Sequence, residues 1–182
     1  MPLLNSIATP YAEAFLQVAE KNNETDQMVD QVKAILNLWH SSPELRQAMT
    51  SPVLEPAAKK AALVKLFDGS ISPILLNLLK LLADRQRINV LDAVLDRFLE
   101  LYRELRHIAL ATVTSAAPLS EDQQAALSTK VKAVAGTENV EFDLRVDPAL
   151  IGGFVVSLGS QVIDASLAGQ VRRLGLALAK AS

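Results

Sequence analysis

The chain has no cysteine and only two histidines, and aromatic residues make up 4% of its 182 positions. The first absence removes disulfides, thiolate nucleophiles and cysteine metal sites together. His40 and His107 stand singly, with no second ligand at metal-binding spacing, so no metal centre is expected. Scarce aromatics leave few stacking platforms for bases, and Arg145 with Arg172-Arg173 makes too small a basic patch to signal nucleic acid. A net charge of −2, with both signs interleaved, gives no field to draw in a polyanion or an anionic lipid surface. The longest apolar run, Ile74 to Ala83, is broken by Asn77 and Lys80 and is about half the ~20 residues that a membrane helix needs. The first residues, MPLLNSIATPYAEAF, have no basic segment leading into a long apolar core, so the expectation is a soluble chain in mature form.

Catalytic patterns are missing as well. A phosphate loop needs GxxxxGK[ST] or GxGxxG opening a helix, because several backbone amides must converge on the anion. Gly152-Gly153 instead precedes an apolar, strand-like run with no lysine, which suits a tight turn or bulge entering a hairpin. Glu141, Asp143 and Asp147 alternate with apolar residues, as on the wet face of a strand, and Ser157, Ser160 and Ser166 have neither a nucleophile elbow nor a nearby histidine. No catalytic residue, metal or cofactor is expected.

Half of the residues are apolar, enough to bury a sizeable core. From residue 1 to 106 they recur with a helical period. Six helices fit, beginning near Ser6, Thr25, Ser42-Pro43, Glu55, Ser72-Pro73 and Asn89, and ending near Lys21, His40, Pro52, Phe67, Gln86 and Arg106. After Arg106 the period changes. His107–Ala116 reads as a strand, and Ser120–Ala135 as a helix opened by a Ser120/Gln123 capping box and closed by Gly136. Val140, Phe142, Leu144 and Val146 mark a half-buried strand. Phe154–Ile163 reads as a second strand, expected to pair with it as a hairpin, and Ser166 to about Lys180 as a last helix. The expected fold is therefore α+β. An N-terminal six-helix bundle (1–106) is followed by a small α/β domain (107–182) in the order β-α-β-β-α.

Apolar surface exceeds what a bundle needs. On the fifth helix Leu75, Leu78, Leu79 and Leu82 make one stripe, while Ile74, Leu76 and Leu81 spread beyond it. The first helix sets Ala8, Ala12, Ala14 and Ala19 beside Tyr11, Phe15 and Val18; small residues permit close approach and the aromatics can anchor a partner. Two readings follow: a groove for a partner's amphipathic helix, or a fifth helix buried on all sides.

Three stretches carry a family resemblance: PYAEAFLQVAEKNN (Pro10–Asn23), LLNLLKLLADRQRINVL (Leu75–Leu91) and DPALIGGFVVSLGSQVIDASLAGQVRRL (Asp147–Leu174). End to end, the chain resembles the delta subunit of F-type ATP synthases, the relative of the mitochondrial oligomycin-sensitivity-conferring protein. Phe15-Leu16 stands where many members have the reverse order. Ala165 stands where glycine is common, a feature similar to the photosynthetic, chloroplast-like branch.

The resemblance implies a non-catalytic stator subunit on an energy-coupling membrane, plasma or thylakoid, at its cytoplasmic or stromal face. It would hold the F1 head to the peripheral stalk and touch the membrane only through the complex. It further implies that N-terminal segments of alpha subunits dock on the first and fifth helices, through Tyr11, Ala12, Ala14, Phe15, Leu78, Leu79, Leu82 and Arg85. The C-terminal domain would engage b-type stalk subunits, with Gly152, Gly153, Asp164, Ser166 and Arg172 as its signature. The rivals are a generic helical adaptor and a small hydrolase or transferase using carboxylates between 141 and 166.

Overall fold

The structure, a computed structural model, describes residues 2–137, 139–159 and 161–173, with side chains from residue 6 onward. Two compact units divide at Tyr102/Arg103, within the last turn of the sixth helix.

The helical period of the first unit becomes α1 (Pro2–Lys21), α2 (Thr25–Ser41), α3 (Pro43–Thr50), α4 (Pro56–Phe67), α5 (Pro73–Asp84), a 3-10 turn (Ile88–Val90) and α6 (Leu91–Leu105). Four of these helices begin on proline, whose fixed φ and missing N–H suit a first helical position. α1 begins earlier than the sequence suggests and carries Pro10 inside it. At α5 the Ser72 hydroxyl oxygen accepts from the Ile74 N–H (3.3 Å) and donates to Glu24 Oε2 (3.0 Å), while the Ser72 N–H donates to Gln31 Oε1 (2.8 Å). Two side chains of the α2 region thus fix where α5 starts. One core joins all six helices, with Met28, Leu75, Leu79, Leu82, Val94, Leu95 and Phe98 buried at its centre. Phe15 packs on Phe98 with ring centroids 4.6 Å apart and planes at 49°. α6 turns Leu99 inward and leaves Leu105 44% exposed.

The second unit holds β1 (Ala109–Ser115), α7 (Glu121–Ala135), β2 (Val140–Val146), a 3-10 turn (Pro148–Leu150), β3 (Phe154–Leu158), β4 (Gln161–Asp164) and a helix at 167–173, here α8. The remainder of the helix expected to reach Lys180 lies outside the described residues, as does Ser160. α7 starts on the capping box: Ser120 Oγ accepts from the Gln123 N–H (3.3 Å), and Gln123 Oε1 accepts from the Ser120 N–H (3.0 Å). It ends on Gly136 at φ 66°.

The sheet corrects the expected β-α-β-β-α order in two ways. Its strand order is β2-β1-β3-β4, so β2 and β3 are not neighbours. β1 pairs parallel with β2 (Ala109 opposite Val140, Ser115 opposite Val146) and antiparallel with β3 (Ala111 opposite Leu158, Ser115 opposite Phe154). A parallel pair needs a long crossover, which α7 supplies, and this puts β1 in the middle. The segment from Asp147 to Gly153 then steps across the end of β1. The Asp147 N–H donates to the Ser115 carbonyl (2.8 Å), and the Ala116 N–H donates to that of Gly153 (3.2 Å).

The second difference is that Phe154–Ile163 is two strands. Gly159, at φ 57°, turns β3 back into β4, with Leu158 opposite Gln161. The core of this unit is Ala111, Val113, Leu127, Val131 and Val156. As an edge strand, β2 is covered at Val140 and Phe142 only; Leu144 and Val146, expected on its buried face, are 47% and 54% exposed.

Candidate functional site

An open apolar groove runs between α1 and α5. Pro10, Tyr11, Ala14, Phe15 and Val18 line it from one helix, and Ile74, Asn77, Leu78 and Leu81 from the other, around a cavity of about 480 Å³. The spacing explains this. Positions 11, 14, 15 and 18 repeat every three to four residues, as do 74, 77, 78 and 81, so each set forms one helix face. Ala14 and Asn77 are short enough to keep the trough open, while Val18 and Leu81, 45% and 43% exposed, form its rims. Phe15 and Leu78 belong to the floor and are almost wholly buried.

Of the residues expected to meet a partner, Tyr11, Ala14, Phe15 and Leu78 come together in this groove. Ala12, Leu79 and Leu82 face the bundle core with no exposure, and Arg85 stands exposed just beyond the C-terminus of α5. Residues the sequence did not single out complete it: Pro10, Asn77 and Arg87. Arg87 Nη1 donates to Tyr11 Oη at 3.2 Å, and its guanidinium lies 5.9 Å from the Tyr11 ring centroid. The only signal for that contact is a basic residue shortly after an apolar helix.

The C-terminal signature residues form a second constellation. Ser166 caps α8, its Oγ accepting from the Gly169 N–H at 3.0 Å. The Ser166 N–H and hydroxyl both donate to Asp164 Oδ1, at 2.9 and 2.6 Å. These bonds, with Arg173 and Arg172 nearby, hold the Asp164 carboxyl below its ordinary pKa. Arg173 Nη2 donates to the Asp164 carbonyl at 3.1 Å, so the contact falls to the second arginine of the pair; Arg172 acts on Asp164 by charge alone.

The glycines sit against the same turn. The Leu167 N–H donates to the Gly152 carbonyl (2.9 Å), and a Cβ on Gly152 would come within 2.7 Å of Leu167 Cδ1. Gly153, at φ 80°, lies so close to the Ala165 carbonyl and Ser166 Cα that any side chain would collide with backbone. Gly169 is pressed against the Asp164 carboxylate in the same way and belongs with the signature. The sequence offered one hint of it: a glycine in a helix costs about 1 kcal/mol relative to alanine, and so implies a packing reason. The first amides of α8 are spent on Gly152 and Ser166, which leaves no amide cradle for a phosphate.

Among the described residues no cluster of three or more His, Cys, Asp or Glu could hold a metal ion, and no helix is long and apolar enough to cross a membrane.

The family described as "ATP synthase delta (OSCP) subunit" matches residues 7–178. "ATP synthase subunit delta" of Prochlorococcus marinus (strain MIT 9303) is 72% identical over 182 residues, covering all of both chains. "ATP synthase subunit delta, organellar chromatophore" of Paulinella chromatophora is 69% identical over 180 residues, 99% of each chain. A chain of the Toxoplasma gondii mitochondrial ATP synthase hexamer superposes with a TM-score of 0.74 over 93% of this chain and 95% of that one, at 23% identity, and so shares the fold.

Proposed function

The chain belongs to the ATP synthase delta (OSCP) subunit family, and from that membership we infer that it is a stator subunit, tying the F1 head to the peripheral stalk so that the head resists the rotor's torque. Its work is mechanical, with no catalytic step of its own. The helical unit (expected span 1–106) receives N-terminal segments of alpha subunits in the α1–α5 groove, with Tyr11, Ala14, Phe15 and Leu78 as the surface they meet. Ala12, Leu79 and Leu82 hold that surface from behind, and Arg85 stands at its end. The α/β unit (107–182) engages b-type stalk subunits. There Gly152, Gly153, Asp164, Ser166 and Arg172 shape the turn on which α8 is mounted. The subunit meets the membrane only through the complex, on its cytoplasmic or stromal face.

One observation carries this reading: a family member leaves an apolar trough, floored by Phe15 and Leu78, open between two helices that could have closed on each other. An amphipathic helix fits such a trough. An interface of standard size, roughly 1,600 Å² in total, suffices for nanomolar binding when its anchors are well packed. Two contacts joined in one chain raise each other's effective concentration, which is how a tether withstands load.

Reconstitution tests the assignment. F1 heads stripped of this subunit should bind a soluble b-type stalk fragment only after the full chain is added back. A chain ending after α6 should bind the head and fail to recruit the stalk. Recruitment of the stalk by that truncated chain, or by heads without any added chain, would contradict the division of labour.

A further inference from the structure

Between α4 and α5 the chain turns on Phe67, Asp68, Gly69 and Ser70. The Ser70 N–H donates to the Phe67 carbonyl at 2.9 Å, Asp68 stands at φ −59° and ψ 128°, and Gly69 at φ 75°. These angles make a type II turn, whose third position needs a positive φ and so takes glycine. Asp68, Gly69 and Ser70 are all exposed. Among the described residues the Asp68 carboxylate has no hydrogen-bond or ion-pair partner, and the Gly69 N–H has no acceptor. A Cβ built on Gly69 would meet nothing within 4 Å, so the space around this peptide is open. Of the seven glycines in the sequence, only Gly69 follows an aspartate or asparagine. Every other aspartate but Asp147 lies in a helix or strand, where regular backbone fixes the following peptide, and Asp147 precedes Pro148, which has no N–H.

We propose that Asp68-Gly69 is a site of spontaneous backbone modification, at which Asp68 converts to isoaspartate through a succinimide. The Gly69 amide nitrogen gives up its proton and attacks Asp68 Cγ, the protonated carboxyl loses its hydroxyl, and one water leaves as a five-membered ring closes. The reacting groups are tethered on one chain, so the step is unimolecular. Water then adds to either ring carbonyl. Opening at Cγ restores aspartate, while opening at the Asp68 main-chain carbonyl leaves Gly69 joined through Cγ. One water leaves and one returns, so composition is unchanged and no co-reactant is consumed. At ψ 128° Cγ is turned away from the Gly69 nitrogen, and the ring closes only when this peptide swings. Glycine, free at either sign of φ, permits that swing in open space. The reaction is therefore slow, a clock on the age of the folded chain. Its product carries one extra main-chain atom. That atom breaks the geometry of the Ser70–Phe67 bond and displaces the turn between Phe67, in the core, and Ser72, whose N–H is held by Gln31.

The test incubates the full, folded chain at physiological temperature and mildly acidic pH and follows isoaspartate with time. A protein isoaspartyl methyltransferase supplied with radiolabelled S-adenosylmethionine marks the residue. Mapping with the protease Asp-N, which cleaves before aspartate and not before isoaspartate, locates it. Methyl acceptance should rise with time, and the Phe67–Asp68 bond alone should become resistant to cleavage. Asp68→Glu, whose longer side chain disfavours the ring, should abolish the rise. Asp68→Asn should react faster, releasing ammonia in place of water. The modified chain, separated by reversed-phase chromatography and refolded, should unfold at lower urea than a parent sample treated alike. A flat time course, equal resistance at several aspartates, or methyl acceptance unchanged in Asp68→Glu would overturn the site. A modified chain as stable as the parent would overturn its effect on the turn. None of these results depends on what the α1–α5 groove binds.

Discussion

Asp164 Oδ1 accepts two bonds from Ser166, one from its N–H at 2.9 Å and one from its hydroxyl at 2.6 Å, and Ser166 in turn caps α8 through Gly169. Both bonds favour the ionised carboxylate and lower its pKa. A lowered native pKa contributes stability that is complete above the ordinary value of 3.8 and is lost as pH falls through the native one. Asp164→Asn should therefore be less stable than the parent chain near neutral pH. The gap should close below about pH 4, as seen in urea melts of both proteins across that range. A gap independent of pH would mean that the carboxylate charge contributes nothing.

The glycines of the second unit should separate by environment. Gly153→Ala meets both positive φ and backbone collision, so a loss of roughly 2 kcal/mol or more is expected. Gly159→Ala also has positive φ but open space, and should cost only about 1 kcal/mol. Gly169→Ala would gain helix propensity in an isolated peptide; here it should destabilise, because its methyl group would displace the Asp164 carboxylate. Chemical denaturation of the three variants checks the order.

Ser72 gives a test in the helical unit. Ser72→Ala removes the cap of α5 and the donor to Glu24, and about 1–2 kcal/mol should be lost. Adding Glu24→Gln to it should then cost little more, since the two side chains share one bond. Fully additive losses would show that the latch does not couple α2 to α5.

Phe15 serves the fold before it serves any partner. Packed on Phe98 and 4% exposed, it should cost about 3–5 kcal/mol on truncation to alanine, readable in a thermal melt. Loss of binding by Phe15→Ala would accordingly report unfolding. The rim positions Val18 and Leu81 are the clean probes, because charged residues there should move stability by only about 0.5 kcal/mol.

The α+β class, the helix starts on Ser-Pro and the capping box of α7 were legible because each depends on residues close in sequence. The strand order was not. Nothing in Val140–Val146 or Phe154–Leu158 states that Ser115 will stand between them; that follows from the crossover through α7, a relation among three separated segments. Likewise, the period of α1 and α5 pointed to surplus apolar surface. It could not sort Leu78, on the groove floor, from Leu79, in the core, since adjacent positions on a helix rich in leucine differ only in which neighbour arrives. Gly169 was missed because its constraint is the Asp164 carboxylate folded back from five residues earlier.

The most direct measurement is calorimetric titration of the alpha N-terminal peptide into the full chain and into its Leu81→Asp variant, with both proteins shown to melt alike. The groove account predicts saturable binding to the parent chain and at least a tenfold loss in the variant, ~1.4 kcal/mol, as expected for a charge set into an apolar contact. Equal affinity for the two proteins, or no binding to either, would contradict it.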